Sequence, residues 1–255
     1  MTYAQSSLKP PKQQFREYCA VFTEIIRKVP IPEFPEDSRY ESVLIEFRVL
    51  PHLEFLIRNT ILKLGDKWCH TVVCGSSNVD EMSRICFTIS PRIKVIKLQY
   101  DNLEVHEYTK LLCSKEFWNL FKSEKILIYQ EDTCVFENNI NDFLIWDYVG
   151  ASWPPRSNHN IYNVGNGGFS LRTRQVMLDA IEKSPSNGIL PEDVYFTQII
   201  AENKLGKIAP SKVADLFSAE YKYHEKCVGM HCFFLYNGYW KEIMYQRLIK
   251  PLNKF

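Results

Sequence analysis

Between residues 42 and 129 the chain alternates short apolar runs with segments of helical periodicity, and few folds accept that pattern. Residues 42–48, SVLIEFR, read as a strand. Pro51 opens a helix that carries Leu53, Leu56, Ile57, Thr60 and Leu64 on one face and stops at Gly65. Residues 68–74 form a second strand closed by Gly75-Ser76, and Asn78 is placed to cap a helix running to about Phe87. Residues 93–98 alternate as a third strand, 105–121 are helical with a break near Ser114, and 125–129, KILIY, form a fourth strand. The order β-α-β-α-β-α-β predicts an α/β fold: a mostly parallel, Rossmann-like central sheet flanked by helices.

The alternation then stops. Residues 147–150 read as a short strand, 152–163 as a loop rich in Trp and Pro, and 164–172, VGNGGFSLR, as a Gly-rich turn entering a strand. Helices follow over 173–183 and 192–203, so the C-terminal half is mixed. The sequence divides into an N-terminal arm and helix (1–40, the helix at about 14–27) and one larger domain (41–255). The latter has a nucleotide-binding half at about 41–135 and a half that completes the site at about 136–240.

The 255 residues carry a net charge of +1. There is no basic stripe, and the expected partners exclude nucleic acid. No stretch approaches the ~20 apolar residues of a membrane span, and the polar N-terminus is unlike a secretory signal. Eight scattered cysteines without a CxxC read as reduced thiols of a cytoplasmic protein. Cys227, His231 and Cys232 offer zinc-type ligands but lack a second pair at the usual spacing.

The chemistry gathers where the fourth strand ends in Gln130, Glu131, Asp132 and Thr133. Ligands of open α/β sheets bind beyond the C-terminal ends of strands, and two carboxylates there suit a divalent cation, Mn2+ or Mg2+, that grips a diphosphate. The same pair would also serve as a solvated turn. Gly165-Asn166-Gly167-Gly168 permits positive φ and close approach of backbone to a ligand, or simply a tight turn before a strand. It is neither a Walker loop nor GxGxxG. Pro191-Glu192-Asp193 is a sound helix start, and either acid is also placed to act as a general base. His231 is a candidate metal ligand or an ordinary structural histidine.

In this order, these pieces resemble glycosyltransferases of the GT-A fold. More closely, the chain resembles a family of glycosyltransferase-like proteins recorded as a domain of unknown function, found in large DNA viruses and in some bacteria and eukaryotes. The matching stretches are Glu46-Phe47-Arg48, EFLIRN at 54–59, Phe117-Trp118, LIYQEDT at 127–133, DYVGASW at 147–153, VGNGGFSLR at 164–172, EDVYF at 192–196, FSAE at 217–220 and His231.

The resemblance implies transfer of a sugar from a nucleoside-diphosphate sugar, UDP by preference, to a hydroxyl of a glycan, protein or small molecule. It implies metal assistance and inversion, in the cytoplasm (the host's, if the protein is viral). It assigns Asp132, Glu131 and His231 to the metal. Glu46, Arg48, Gln130, Trp153, Asn166, Gly167 and Gly168 go to the donor and its sugar, and Asp193, or Glu192, to the base. Gln130-Glu131-Asp132 departs from the Asp-x-Asp pattern of that fold, and only Asp132 fits its last carboxylate. The alternatives are an inactive nucleotide-sugar or carbohydrate-binding protein, and a nucleotidyltransferase. The latter usually needs a Gly-rich basic loop near the first strand, where Arg48 stands without a glycine.

Overall fold

The computed structural model describes residues 9–154 and 163–253. It opens with α1 (Pro11–Val21) and α2 (Thr23–Ile26) and continues through β1 (Tyr40–Ile45), α3 (Leu53–Leu64), β2 (Trp68–Cys74), α4 (Val79–Ile89), β3 (Lys94–Lys97), α5 (Val105–Leu112), α6 (Lys115–Trp118) and β4 (Lys125–Tyr129). The second half holds β5 (Thr133–Val135), β6 (Tyr148–Val149), β7 (Phe169–Thr173), α7 (Arg174–Lys183), α8 (Glu192–Glu202), α9 (Ser211–Phe217), β8 (Ser218–Ala219), β9 (Gly229–His231), α10 (Trp240–Met244) and α11 (Lys250–Leu252). The fold is α/β and GT-A-like.

The main sheet runs β3-β2-β1-β4-β7-β6. Its first four strands are parallel, and β7 and β6 join antiparallel. The chain moves outward from β1 through β2 to β3, then returns to place β4 on the other side of β1. That reversal opens a crevice beyond the C-terminal ends of β1 and β4.

Successive side chains of a strand point to opposite faces. On β4, Leu127 and Tyr129 enter one core cluster while Ile126 and Ile128 enter another. On β1, Leu44 and its neighbours Val43 and Ile45 divide the same way. Both faces are covered by helices, which is why these strands read as continuous apolar runs rather than as an alternation. α3 ends at Gly65, whose φ of 75° favours a residue without Cβ.

A second sheet, β5-β9-β8, lies beyond β4. Its register pairs Thr133 with His231. Thr133 follows Asp132 directly, so this pairing carries the late histidine to the end of the fourth strand.

Two local expectations change, and one lies partly beyond the described residues. The predicted first helix at 14–27 begins earlier, at Pro11, and is interrupted at Phe22. The part of the predicted arm and of the 152–163 loop at residues 1–8 and 155–162 lies outside the described residues. Asn78 precedes α4 but does not cap it with its side chain. Its Oδ1 accepts the Gly75 N–H, and its Nδ2 donates to the carbonyls of Glu46 and Arg48. It fastens the end of β1 rather than the start of a helix.

α1 is amphipathic in a way that matters for the site. Phe15 and Cys19, four residues apart, are fully buried in a third cluster with Phe55, Phe234 and Trp240. Phe15 stacks on Phe234 with ring centroids 4.9 Å apart. Lys12 and Arg16 repeat the same four-residue interval on another face and reach the acids after β4.

Candidate active site at the crevice between β1 and β4

A cavity of about 490 Å³ opens at the crevice, lined among others by Glu46, Arg48, Tyr108, Gln130, Glu131 and Asp132, with Lys12 at its edge. A larger cavity of about 620 Å³ lies elsewhere, against Leu98, Tyr100, Leu111, Phe117 and Leu120. None of the residues assigned to the site from the sequence lines it, so volume alone is a poor guide here.

At the end of β1, Glu46 is tied to Arg48 through both carboxylate oxygens. Oε1 accepts from the Arg48 backbone and Nε, and Oε2 from Nη2 at 2.7 Å. Arg48 Nη2 also lies 3.4 Å from Glu131 Oε1. Glu46 is buried and Arg48 is half-exposed, so the guanidinium is the part that faces the cavity.

Glu131 is fully engaged by the protein. Arg16 donates to both of its oxygens, at 3.1 and 2.6 Å. Lys12 Nζ is 3.0 Å from Oε1, and His52 Nε2 is 3.3 Å from Oε2. Burial pushes the Glu131 carboxyl up, but His52, Arg16 and Lys12 outweigh it and bring it down to about 2. Lys12, Arg16 and Arg48 already compensate Glu131, and it stands outside the group of potential ligand atoms described next.

That group is Asp132, His231 and Cys232. Asp132 is 2% exposed. Its Oδ1 is 3.3 Å from His231 Nε2, in ion-pair contact but not aligned for a hydrogen bond. Its Oδ2 accepts from Cys232 Sγ at 3.1 Å and pairs with Lys12 Nζ at 2.9 Å. Gln130 Oε1 lies 3.2 Å from His231 Nε2. Burial opposes the charge on Asp132, yet His231 and Lys12 hold its carboxyl below the ordinary range. Burial likewise works against a charged His231, and Asp132 reverses it, so the imidazole is held above its ordinary value. Behind the ring, Glu220 Oε1 is 3.8 Å from Nδ1, and burial raises the Glu220 carboxyl to about 7. Carboxylate, imidazole and amide oxygen are donors that suit a divalent cation such as Mn2+, whereas a sulfur atom in the same group is foreign to Mg2+. Cys227, weighed with His231 and Cys232 as a zinc ligand, is buried and stands outside this group; Asp132 takes its place.

The Gly-rich loop works differently from the sequence expectation. Gly165, Gly167 and Gly168 are not among the positive-φ residues; Asn166, at φ 51°, supplies the left-handed turn, as Asn tolerates. Asn166 Oδ1 accepts the Gly168 N–H, so its amide oxygen serves its own loop. The glycines make room for neighbouring protein groups. A Cβ on Gly167 would lie 1.7 Å from Glu192 Oε1, one on Gly168 2.1 Å from His231 Nε2, and one on Gly165 1.8 Å from the Trp153 ring. Trp153 does not join the crevice. It lines a separate cavity of about 500 Å³ with Asp215, Tyr221 and Lys222.

The two acids opening α8 part ways. Glu192 is buried and receives a bidentate pair from the fully buried Arg172, at 2.6 and 2.9 Å. Arg172 also lies over the Tyr148 ring at 4.9 Å. Burial works against the guanidinium's charge, but Glu192 and Tyr148 keep it charged. Glu192 therefore stands as the counter-ion of Arg172, although burial raises its carboxyl above the ordinary range. Asp193 is half-buried; its Oδ2 accepts the Gly167 N–H at 3.2 Å and its Oδ1 the Val194 N–H at 2.8 Å. Gly167 and Gly168 thus join Asp193 on one side to His231 on the other.

Lys12, Arg16, His52 and Glu220 were absent from the residues assigned to the site from sequence, and Cys232 was weighed only as a zinc-type ligand with Cys227 and His231. Lys12 and Arg16 carried one signal, a basic pair four residues apart at a helix start. Cys232 carried another, its position next to His231.

A family described as a protein of unknown function, DUF5672, matches residues 92–231, more than half of the chain and ending at the candidate ligand histidine. No curated protein sequence matches. Among solved structures, the inositol-1-phosphate CTP transferase of T. maritima superposes with a TM-score of 0.53 at 11% identity, covering 82% of this chain and 96% of that one. The apo form of the glycosyltransferase GlyE from Streptococcus pneumoniae TIGR4 gives 0.51 at 11%, covering 86% and 63%. The mannosyltransferase PcManGT from Pyrobaculum calidifontis, in complex with GDP-Man and Mn2+, gives 0.47 at 13%, covering 78% and 63%. The chain therefore spans less than two thirds of the length of the mannosyltransferase and of GlyE. At these identities the likeness is one of fold. No described helix is long and apolar enough to cross a membrane.

Proposed function

The chain belongs to the DUF5672 family, and from the geometry of its crevice we propose that it is a glycosyltransferase moving a sugar from a nucleoside-diphosphate sugar to an acceptor hydroxyl. One observation carries the reading. Gln130 and Asp132 line a cavity at the topological switch of a GT-A-like sheet, together with Arg48 and Lys12, and His231 Nε2 meets both of them from behind that lining, at 3.2 and 3.3 Å. The glycosyltransferase GlyE shares that fold and supports the reading.

Asp132 and His231, with the Gln130 amide oxygen beside them, would hold a divalent cation, which offsets negative charge on a leaving diphosphate. Arg48 and Lys12 add fixed positive charge for the phosphates, and the walls between β1 and α5 take the nucleoside, UDP first among those to be tried. Asp193 accepts the proton of the acceptor hydroxyl. The hydroxyl oxygen bonds to the anomeric carbon as the bond from that carbon to the diphosphate oxygen breaks, and the electron pair leaves with the diphosphate. Attack on the face opposite the leaving group inverts the anomeric centre. The pairing of β9 with β5 sets the position of His231, and Arg172 with Glu192 braces the loop between it and Asp193.

The test is binding and turnover with UDP-, GDP- and dTDP-linked sugars, with and without Mn2+, followed by calorimetry and by nucleoside diphosphate release. Affinity for none of them would sink the proposal, and unchanged transfer by Asp193→Asn would remove that residue as base. Binding without release would leave the inactive binding protein as the better account. A nucleotidyltransferase is the second reading, favoured by the superposition on the CTP transferase. It is separated by offering CTP or UTP with a sugar phosphate and looking for pyrophosphate.

A further inference from the structure

The sulfur beside the candidate cation position is not accounted for by the reading above, on which this inference rests. Cys232 follows β9 with left-handed backbone, φ 50° and ψ 14°. Its N–H donates to the Asp132 carbonyl at 3.2 Å. Its Sγ is thereby turned to the same point as the side chains of Asp132 and His231. The other seven cysteines are buried, and Cys232 alone among the eight is partly accessible.

The spacings are those of a small tetrahedral site. Zinc bonds of about 2.3 Å to sulfur and about 2.0–2.2 Å to nitrogen and oxygen give tetrahedral edges of about 3.6 Å between S and N and about 3.4 Å between N and O. Cys232 Sγ to His231 Nε2 is 3.6 Å, and His231 Nε2 to Asp132 Oδ1 is 3.3 Å. Asp132 Oδ1 is buried and takes no hydrogen bond, and it turns toward His231 Nε2 in ion-pair contact alone. A mixed carboxylate, imidazole and thiol set selects softer cations than the all-oxygen shells of Mg2+.

We propose that Cys232 is the third ligand of this site, and that Asp132, His231 and Cys232 together take a thiophilic divalent cation of the zinc and cobalt(II) class. Three protein ligands leave a fourth position, where a donor phosphate oxygen enters. Lys12, whose ammonium pairs with Asp132 Oδ2 and is half-exposed, is the group that yields as the cation arrives. Glu220 lies behind the ring, 3.8 Å from Nδ1 and not hydrogen-bonded to it, and leaves Nε2 as the nitrogen turned to Asp132 and Cys232.

The test is titration of the full chain with Co2+ under reducing, anaerobic conditions. The expected result is one equivalent bound, with an intense near-ultraviolet sulfur-to-cobalt charge-transfer band that Zn2+ abolishes. In Cys232→Ser the band disappears and Co2+ affinity falls tenfold or more. A band that survives in Cys232→Ser, or Co2+ binding by the unaltered chain without any band, overturns the proposal. Should the variant not fold, alkylation of the unaltered chain decides. Saturating Zn2+ protects Cys232 from iodoacetamide, and an unchanged rate of modification overturns the assignment. The two readings fail separately. Donor-sugar binding with Mn2+ but no thiolate band removes only the cysteine. A thiolate band in a chain that binds no nucleoside diphosphate sugar removes the transferase.

Discussion

Gly168 faces His231 so closely that a Cβ at the glycine would lie 2.1 Å from the imidazole Nε2. The neighbour that would have to move is the ring edge turned to Asp132, and β9 holds its backbone in register with β5. Gly168→Ala is expected to swing the ring away from Asp132 with little change in overall fold. Divalent-cation affinity, followed by calorimetry with Mn2+ and with Zn2+, should fall by roughly 10–100-fold, the range seen when supports of a ligand histidine are lost. Unchanged affinity with a native circular dichroism spectrum would dissociate His231 from the metal.

Lys12 occupies the approach to the same carboxylate, 2.9 Å from Asp132 Oδ2 and 3.0 Å from Glu131 Oε1. Removing its charge in Lys12→Met frees the acids for another cation. Metal affinity should rise, by roughly three- to tenfold for a half-exposed ion pair. The melting temperature without metal should fall slightly. A loss of metal affinity would mean that Lys12 organises the site rather than competes for it.

Glu192 and Asp193 are adjacent in sequence, yet their replacements should report different things. Glu192→Gln leaves the fully buried Arg172 charge poorly compensated, a change of about 3–5 kcal/mol in comparable buried pairs. Asp193→Asn keeps the acceptor for the Gly167 N–H and should cost less than about 1 kcal/mol. Urea denaturation of the two variants checks this. If Glu192→Gln is as stable as the parent chain, the pair is not holding the α8 entrance.

The pH dependence of stability follows from Glu131. Its folded value of about 2 lies below the ordinary 4.5, so the folded state binds fewer protons than the unfolded one in between. The stabilisation, on the order of 3 kcal/mol, is fully present above the ordinary carboxylate range and is lost as pH falls through 4.5 toward about 2. Glu131→Gln should therefore be less stable at neutral pH and show a flatter acid limb in thermal melts. Parallel acid limbs for the two chains would show that Glu131 contributes no such linkage.

Much of the fold was readable because its signals are local. β2 and β4 coincide with the predicted strands at 68–74 and 125–129, where unbroken apolar runs end in Gly75 and in Glu131-Asp132. The break near Ser114 is real, and there the serine hydroxyl accepts the Phe117 N–H. The crevice was legible too, because strand order and the acids at the end of β4 leave few other places for it. Its inner workings were not. Arg16 and Glu131 are 115 residues apart, and Cys232 and Asp132 are 100 apart, so no local pattern ties either pair together. Arg172 reads as the end of a strand, and only the α8 entrance packed over it makes Glu192 its counter-ion. Three glycines suggest unusual backbone, but here they make room for Trp153, Glu192 and His231.

The path of α1 has a practical consequence for handling the protein. Lys12, which lines the crevice, stands only three residues after Lys9, where the described chain begins. A histidine-rich purification tag ahead of this helix would compete for the same divalent cations. Assays of cation affinity call for a fusion at the other terminus or for a cleaved leader.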